Sequence, residues 1–287
     1  MNVVASPATM QPPGQGAATL KELLPLLRAG SVVPYIGSGV ALLGSPQAPM
    51  TPEALATFFA SKVALPRRAR GNAWSSAQHI ESTKHRSTLT ALMTEAFATP
   101  VAPTALHHYL AALKLPMIVD TWYDGAMRTA LAARGDWGEV QGITRAGIGE
   151  DRWYRFYDPA GRETGREAAE AWPTLLYKPH GGVTPAANFL ISDADYVEVL
   201  TEIDIQTPIP DEVKNRRTDR SFLFLGCRFH DQLLRTYARQ LKKRSATLHY
   251  AVIEPGSMTK NETKFILAEG IVPIAMPLAE AVAIITG

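Results

Sequence analysis

Cysteine is almost absent. The 287 residues include one, Cys227, so the chain can build neither a disulfide framework nor a cysteine-ligated zinc site. This usage suits a reducing compartment, and a cytoplasmic location is expected. An excess of charge of either sign is also missing: 29 Lys and Arg stand against 27 Asp and Glu, a formal net charge of +2. Such a balance exerts no bulk pull on nucleic acid or on a membrane surface. The short basic clusters Arg67-Arg68 and Lys242-Lys243-Arg244 read as solvated helix ends. No apolar run reaches the ~18 residues needed to span a bilayer, and the N-terminus lacks the basic region and apolar core of a secretory signal. What remains is an ordinary globular composition, 46% hydrophobic and 20% charged, in a chain long enough for one large domain with a substantial core. Residues 1–17, rich in Pro, Gly, Ala and Gln, read as a flexible tail. Residues 18–287 then form the domain, with inserted segments at about 45–100 and 135–172. There is no internal repeat.

Apolar runs alternate with helical patterns. Strands are expected at 32–36, 117–121, 174–178, 222–225, 249–253 and 271–275. Helices are expected at 19–29, closed by Gly30, at 51–64 with Thr51 as cap and Pro52 in first position, one or two at 75–97, and one at 104–113. Further helices are expected at 125–133, 193–203, 231–241, 259–268 and 278–285. Within 135–172 the aliphatic runs give way to Gly, Arg and aromatics, and Trp153-Tyr154-Arg155-Phe156-Tyr157 followed by Asp158-Pro159-Ala160-Gly161 reads as a hairpin or an edge strand. Alternating strands and helices imply an α/β fold: a Rossmann-like parallel sheet with helices on both faces and a smaller, mostly helical insert.

Ligands of such sheets bind at the carboxyl ends of the strands. The first strand ends in Gly37-Ser38-Gly39-Val40, which reads either as a phosphate-cradling turn or as a tight strand-to-helix turn with no ligand. The other strand ends carry Thr121-Trp122-Tyr123-Asp124, His180-Gly181, Gly226-Cys227-Arg228 and Glu254-Pro255.

In order, the chain carries Pro34-x-Ile36-Gly37-x-Gly39, Thr121-x-x-Asp124, Lys178-x-His180-Gly181, Asp193-x-x-Tyr196 and Phe224-x-Gly226-x-x-x-x-Asp231. This series resembles the sirtuin-like superfamily, most nearly the zinc-free bacterial branch linked to NAD hydrolysis and phage defence. The resemblance runs from Val32 to Glu254. It implies a Rossmann-like domain that binds NAD, or an ADP-ribose-like nucleotide, with no metal. Gly37, Ser38, Gly39 and Val40 would cradle the pyrophosphate. Thr121, Trp122 and Asp124 would surround the nicotinamide ribose. His180 would act as general base, and Gly226, Cys227 and Glu254 would hold the adenosine half. One departure matters. Where the family has asparagine, this chain has Trp122, whose indole has a single N–H donor and no acceptor. The lack of a cysteine-rich zinc module also disfavours protein deacylation.

Two functions follow from different classes. One is an NAD glycohydrolase, in which His180 activates a ribose hydroxyl or a water, Asp124 orients the site, and an oxocarbenium-like ribose forms as nicotinamide leaves. The other is a silenced sensor that binds NAD, ADP-ribose or a related nucleotide intact, motivated by Trp122. Residue by residue, several readings stay open. Asp124 is a helix cap, a ribose ligand or both. Trp122 is core, or stacks on a ligand ring. Cys227 reads most simply as a small residue in a tight loop. Glu254 accepts ribose hydroxyls or belongs to a surface turn. His230 reads as part of a cap. The aromatic cluster at 153–157 packs in a hairpin or serves an oligomer surface, so a homo-oligomer is a further possibility.

Overall fold

The computed structural model describes residues 15–145, 152–205, 207–229 and 231–287. The tail expected at 1–17 falls outside them as far as residue 14, as does His230.

The chain opens with helix α1 (Gln15–Arg28), which starts inside the expected tail and ends at Gly30, where φ is 75°. Strand β1 (Val32–Ile36) follows, then a single-turn helix α2 (Ser38–Leu42). Helix α3 (Pro52–Lys62) is capped by Thr51 Oγ1, which accepts the Ala54 N–H at 3.1 Å. Helix α4 (Ala73–Ala96) is capped by Asn72 and interrupted at His85. After α5 (Ala105–Ala112) come β2 (Met117–Asp120), α6 (Ala126–Leu131), β3 (Trp137–Gly142), β4 (Tyr154–Tyr157) and β5 (Glu163–Thr164). Strand β6 (Thr174–Lys178) leads to a small ribbon of β7 (Gly181–Gly182) and β8 (Asn188–Phe189). Then follow α7 (Asp193–Glu202), α8 (Asp211–Arg217), β9 (Ser221–Leu225), α9 (Gln232–Lys242), β10 (His249–Ile253), α10 (Lys260–Ala268), β11 (Ile271–Ala275) and α11 (Leu278–Thr286).

The strands make one nine-stranded sheet in the order β11-β10-β9-β1-β2-β6-β3-β4-β5. All neighbours from β11 to β3 are parallel, and β4 and β5 add antiparallel strands at one edge. The fold is therefore the α/β, Rossmann-like architecture read from the alternation of elements. Segment 135–172 does not stand apart from the sheet: β3 lies beside β6 in register Trp137↔Thr174 to Gln141↔Lys178. The expected aromatic hairpin is β4 with β5, paired Phe156↔Thr164 and Tyr157↔Glu163; β4 also lies antiparallel to β3, and Trp153, Phe156 and Tyr157 are buried.

Side-chain alternation along the strands sends Val33, Tyr35, Phe222 and Phe224 into a core beneath α8, α9 and α10. Val32, Ile36, Leu223 and Leu225 go into the opposite core under α1, α5 and α11. A third core joins α3 and α4 to Trp122, Tyr123 and Tyr196 at the carboxyl ends of the strands. Among the described residues, no helix is long and apolar enough to cross a membrane.

Sheet order reverses at β1: β2 and β6 continue to one side, β9 and β10 to the other. A crevice at such a switch point lies outside the carboxyl ends of the two central strands, where ligands of open α/β sheets bind.

Candidate functional site

The loops after β1 and β9 meet at this switch point. The Gly37 N–H donates to Leu225 O at 2.9 Å and the Gly39 N–H to Gly226 O at 3.0 Å. These glycines are required by the contact between the two loops. A Cβ on Gly37 would lie 2.5 Å from Gly226 O, and one on Gly226 would lie 2.6 Å from the Val40 nitrogen. Only Gly226 of this group has a left-handed φ, at 65°, whereas Gly37 is extended at φ −107° and ψ 178°. Gly226→Ala is expected to cost about 2–4 kcal/mol, from left-handed strain plus overlap with the facing loop. Urea unfolding of the purified variant measures it, and a loss below about 1 kcal/mol would contradict the packing argument.

Beside these loops is a cavity of about 570 Å³, within the usual range for small-molecule sites. Gly37, Ser38 and Gly39 line it on one side, Gly226 and Cys227 on another, and Thr121, Trp122 and Glu254 complete the set of expected residues at its wall. Val40 is fully buried and is not at the wall. Its N–H turns back to Gly37 O at 3.2 Å.

Each lining residue has a local reason for its position. Thr121 ties β2 to β1, because its N–H and its Oγ1 both donate to Ile36 O at 3.0 Å. Trp122 is 5% exposed and its Nε1–H donates to Pro49 O at 3.1 Å, which pins the loop before α3. The indole packs with Tyr123, ring centres 5.1 Å apart. Trp122 is therefore both part of a core and part of the cavity wall. Cys227 Sγ lies 3.4 Å from Tyr35 O, and burial pushes its thiol pKa well up. That environment makes a poor nucleophile. Glu254 follows β10 and is exposed, and its carbonyl accepts the Ser257 hydroxyl at 2.8 Å.

The two residues expected to do chemistry are not at the cavity wall. Asp124 is 4% exposed and its Oδ1 accepts the Ala126 N–H at 2.8 Å, starting α6. His180 is 2% exposed. Its ring is held edge-on by Tyr237 from α9 at 4.9 Å and by Tyr196 from α7 at 5.7 Å. Tyr196 Oη lies 3.4 Å from Nδ1, and Nε2 has no hydrogen-bond partner among the described residues. Burial, with the nearby Lys178 charge adding to it, pushes the His180 pKa down to about 3. In this arrangement the imidazole is neutral but weakly basic.

Residues not assigned from the sequence organise the site. Lys178, the last residue of β6, is 1% exposed. Its Nζ donates to Asp120 Oδ2 at 2.7 Å, to Trp122 O at 2.6 Å and to Asp124 O at 2.9 Å. Burial opposes the charge, but the carboxylates of Asp120, Asp124 and Glu139 outweigh it and hold the pKa of Lys178 above its ordinary value. Lys178 lies inside the Lys-x-His-Gly motif, so the motif signalled the position without signalling this role. Arg228 and Glu262 also line the cavity. Glu262 is legible as the acid of the Thr259-x-x-Glu262 capping box, which the structure contains. Among the described residues, no group of three or more His, Cys, Asp or Glu is placed to hold a metal ion.

A family model described as the SIR2-like domain matches residues 116–274. No curated protein gives a match to the chain.

Proposed function

Because the chain belongs to the family of the SIR2-like domain, with the NAD-related binding or activity which that membership suggests, we propose that it binds NAD or ADP-ribose at the switch-point cavity and holds the nucleotide without cleaving it. The observation that carries this reading is a division of labour. The loops expected to hold a nucleotide form the cavity wall, while His180 and Asp124 stand off it, buried. The volume, the Glu254 carboxylate and the Arg228 guanidinium at the wall fit an adenine nucleotide with a diphosphate. Trp122 supports retention rather than cleavage. Its only polar donor is spent on Pro49 O, so it supplies neither the donor nor the acceptor of the amide that the resemblance places there.

The test is a thermal and calorimetric titration with NAD and ADP-ribose, with free nicotinamide followed by mass spectrometry. Both nucleotides are expected to raise the melting temperature. At 100-fold excess over Kd, binding to the native state alone adds about 2.7 kcal/mol. Nicotinamide is expected to stay at the level of the protein-free control. Absence of any shift would remove the nucleotide reading.

One observation favours a second reading, an NAD glycohydrolase. His180 Nε2 is an unpartnered acceptor or donor deep in the fold among the described residues, and a catalytic role is one explanation for such an atom. Nicotinamide release that disappears in His180→Ala would select this reading over retention.

A further inference from the structure

We infer that Arg228 is the phosphate-reading residue of the cavity, and that the cavity takes an adenine nucleotide with a single diphosphate in preference to one bearing an added phosphate. The inference rests on the nucleotide reading given under Proposed function.

Among the described residues at the cavity wall, Arg228 is the one cation, on a wall that also carries Glu53, Glu254 and Glu262. Its guanidinium is fixed rather than free. Nε donates to Glu262 Oε1 at 2.9 Å, and Nη2 donates to Glu262 Oε2 at 3.1 Å and to Ser257 O at 3.2 Å. Glu262 is itself immobile: it is 2% exposed and also accepts the N–H groups of Thr259 at 2.8 Å and Phe229 at 3.0 Å. Burial raises its pKa, but these donors and Arg228 overcome that and hold it at about 2, so the pair stays charged at neutral pH. The remaining nitrogen, Nη1, makes no protein hydrogen bond among the described residues, and the side chain is 49% exposed.

A guanidinium held in one plane with one nitrogen, Nη1, left open is pre-organised to donate to a phosphate oxygen, since little rotamer freedom is lost on binding. Arg228 also follows Gly226 by two residues, on the loop that packs against Gly37 and Gly39. The rest of the wall works against additional negative charge. Among the described wall residues a phosphate on the adenosine ribose meets no second cation, and the Glu254 carboxylate opposes it. In Rossmann sites an acidic residue near the ribose selects the free hydroxyl, and a nearby arginine accommodates the phosphate. Here the one open nitrogen of the arginine serves the diphosphate and leaves no donor for an added phosphate.

The experiment is calorimetric titration of the full chain with adenosine, ADP-ribose and ADP-ribose 2′-phosphate, repeated with Arg228→Gln and Arg228→Lys. The wild type is expected to bind ADP-ribose about tenfold or more tightly than its 2′-phosphate. Arg228→Gln is expected to weaken ADP-ribose by about tenfold or more, the scale of a charge-assisted hydrogen bond, and to leave adenosine unchanged. Arg228→Lys keeps the charge but loses the fork, so an intermediate loss confined to ADP-ribose is expected, and it serves if the glutamine variant does not fold. Equal losses for adenosine and ADP-ribose would assign Arg228 to holding α10 and overturn the inference. So would equal wild-type affinity for ADP-ribose and its 2′-phosphate. Wild-type protein that binds none of the three would instead overturn the nucleotide reading, and this inference with it.

Discussion

Lys178→Met is expected to lower the unfolding free energy by about 3–5 kcal/mol, the usual cost of removing one partner from a buried ion pair. The reason lies in what the ammonium leaves behind. Asp120 is 4% exposed, and its Oδ2 has Lys178 as its partner at 2.7 Å. The carbonyls of Trp122 and Asp124 lose the same donor. Methionine matches the volume but offers no hydrogen, so a carboxylate and two carbonyls are desolvated without compensation. Nucleotide affinity is expected to fall as well, because the Trp122–Asp124 turn is held to β6 by this one group. The double variant Lys178→Met with Asp120→Leu separates the charge effect from packing. It removes the stranded carboxylate and is expected to recover more than half of the loss. Urea unfolding at neutral pH measures all three proteins. A Lys178→Met protein within about 1 kcal/mol of wild type would mean that water or a moved side chain satisfies Asp120.

The strands were the most legible part of the fold. Val32–Ile36, Thr174–Lys178, His249–Ile253 and Ile271–Ala275 occupy the expected ranges. Each is a short apolar run, and burial on both faces makes a parallel strand read as such. Strand β3 was not legible, because it carries Glu139 and Gln141 at 0% exposure. Their partners lie largely outside the strand: Arg128 pairs with Glu139, and Gln141 Nε2 donates to Thr184 O at 2.6 Å as well as to Glu139 Oε1 at 2.5 Å. A polar pattern with distant partners is invisible to periodicity. Helix α8 is not legible for a similar reason. Its Arg217, also 0% exposed, donates to Gln240 O at 3.0 Å and to Leu241 O at 3.1 Å, so tertiary contacts fix a segment too short to be stable by propensity.

At the site, the strand-end rule located the wall residues from sequence, since topology alone brings those loops together. It could not locate His180. The tyrosines that enclose the imidazole come from α7 and α9, and whether the ring faces a cavity or a core depends on how those helices pack. The glycines of the first turn were found at the expected place for a different reason, the close approach of the β9 loop.

Acidification is expected to destabilise the protein steeply between pH 7 and pH 5, by about 4–5 kcal/mol. The buried histidines set the sign. Burial pushes His180 to about 3, and His107 and His249 to about 4. The neighbours only modulate this. Lys178 lowers His180 further, Asp124 opposes and Lys178 assists at His107, and Lys242 lowers while Glu269 raises His249. Geometry agrees at two of the sites. His107 Nδ1 accepts the Thr104 N–H at 3.0 Å and His249 Nδ1 accepts the Phe222 N–H at 3.0 Å, bonds that only an unprotonated nitrogen can accept. In the unfolded chain the same rings titrate near ~6.5. Below that value the unfolded state binds protons that the native state does not, so stability rises with pH through this window and is lost as pH falls. Each ring contributes about 2 kcal/mol over the interval. Asp120 acts the other way. Burial raises its pKa to about 6 against the pull of Lys178, so native-state protonation returns about 1 kcal/mol. Urea unfolding at pH 7, 6 and 5 measures the slope. His180→Phe keeps an aromatic ring against Tyr196 and Tyr237, and it is expected to flatten the slope by about 2 kcal/mol over the interval. An unchanged slope in that variant would mean that the imidazole takes up a proton in the native state, which places it in contact with water or an anion rather than in the closed aromatic pocket.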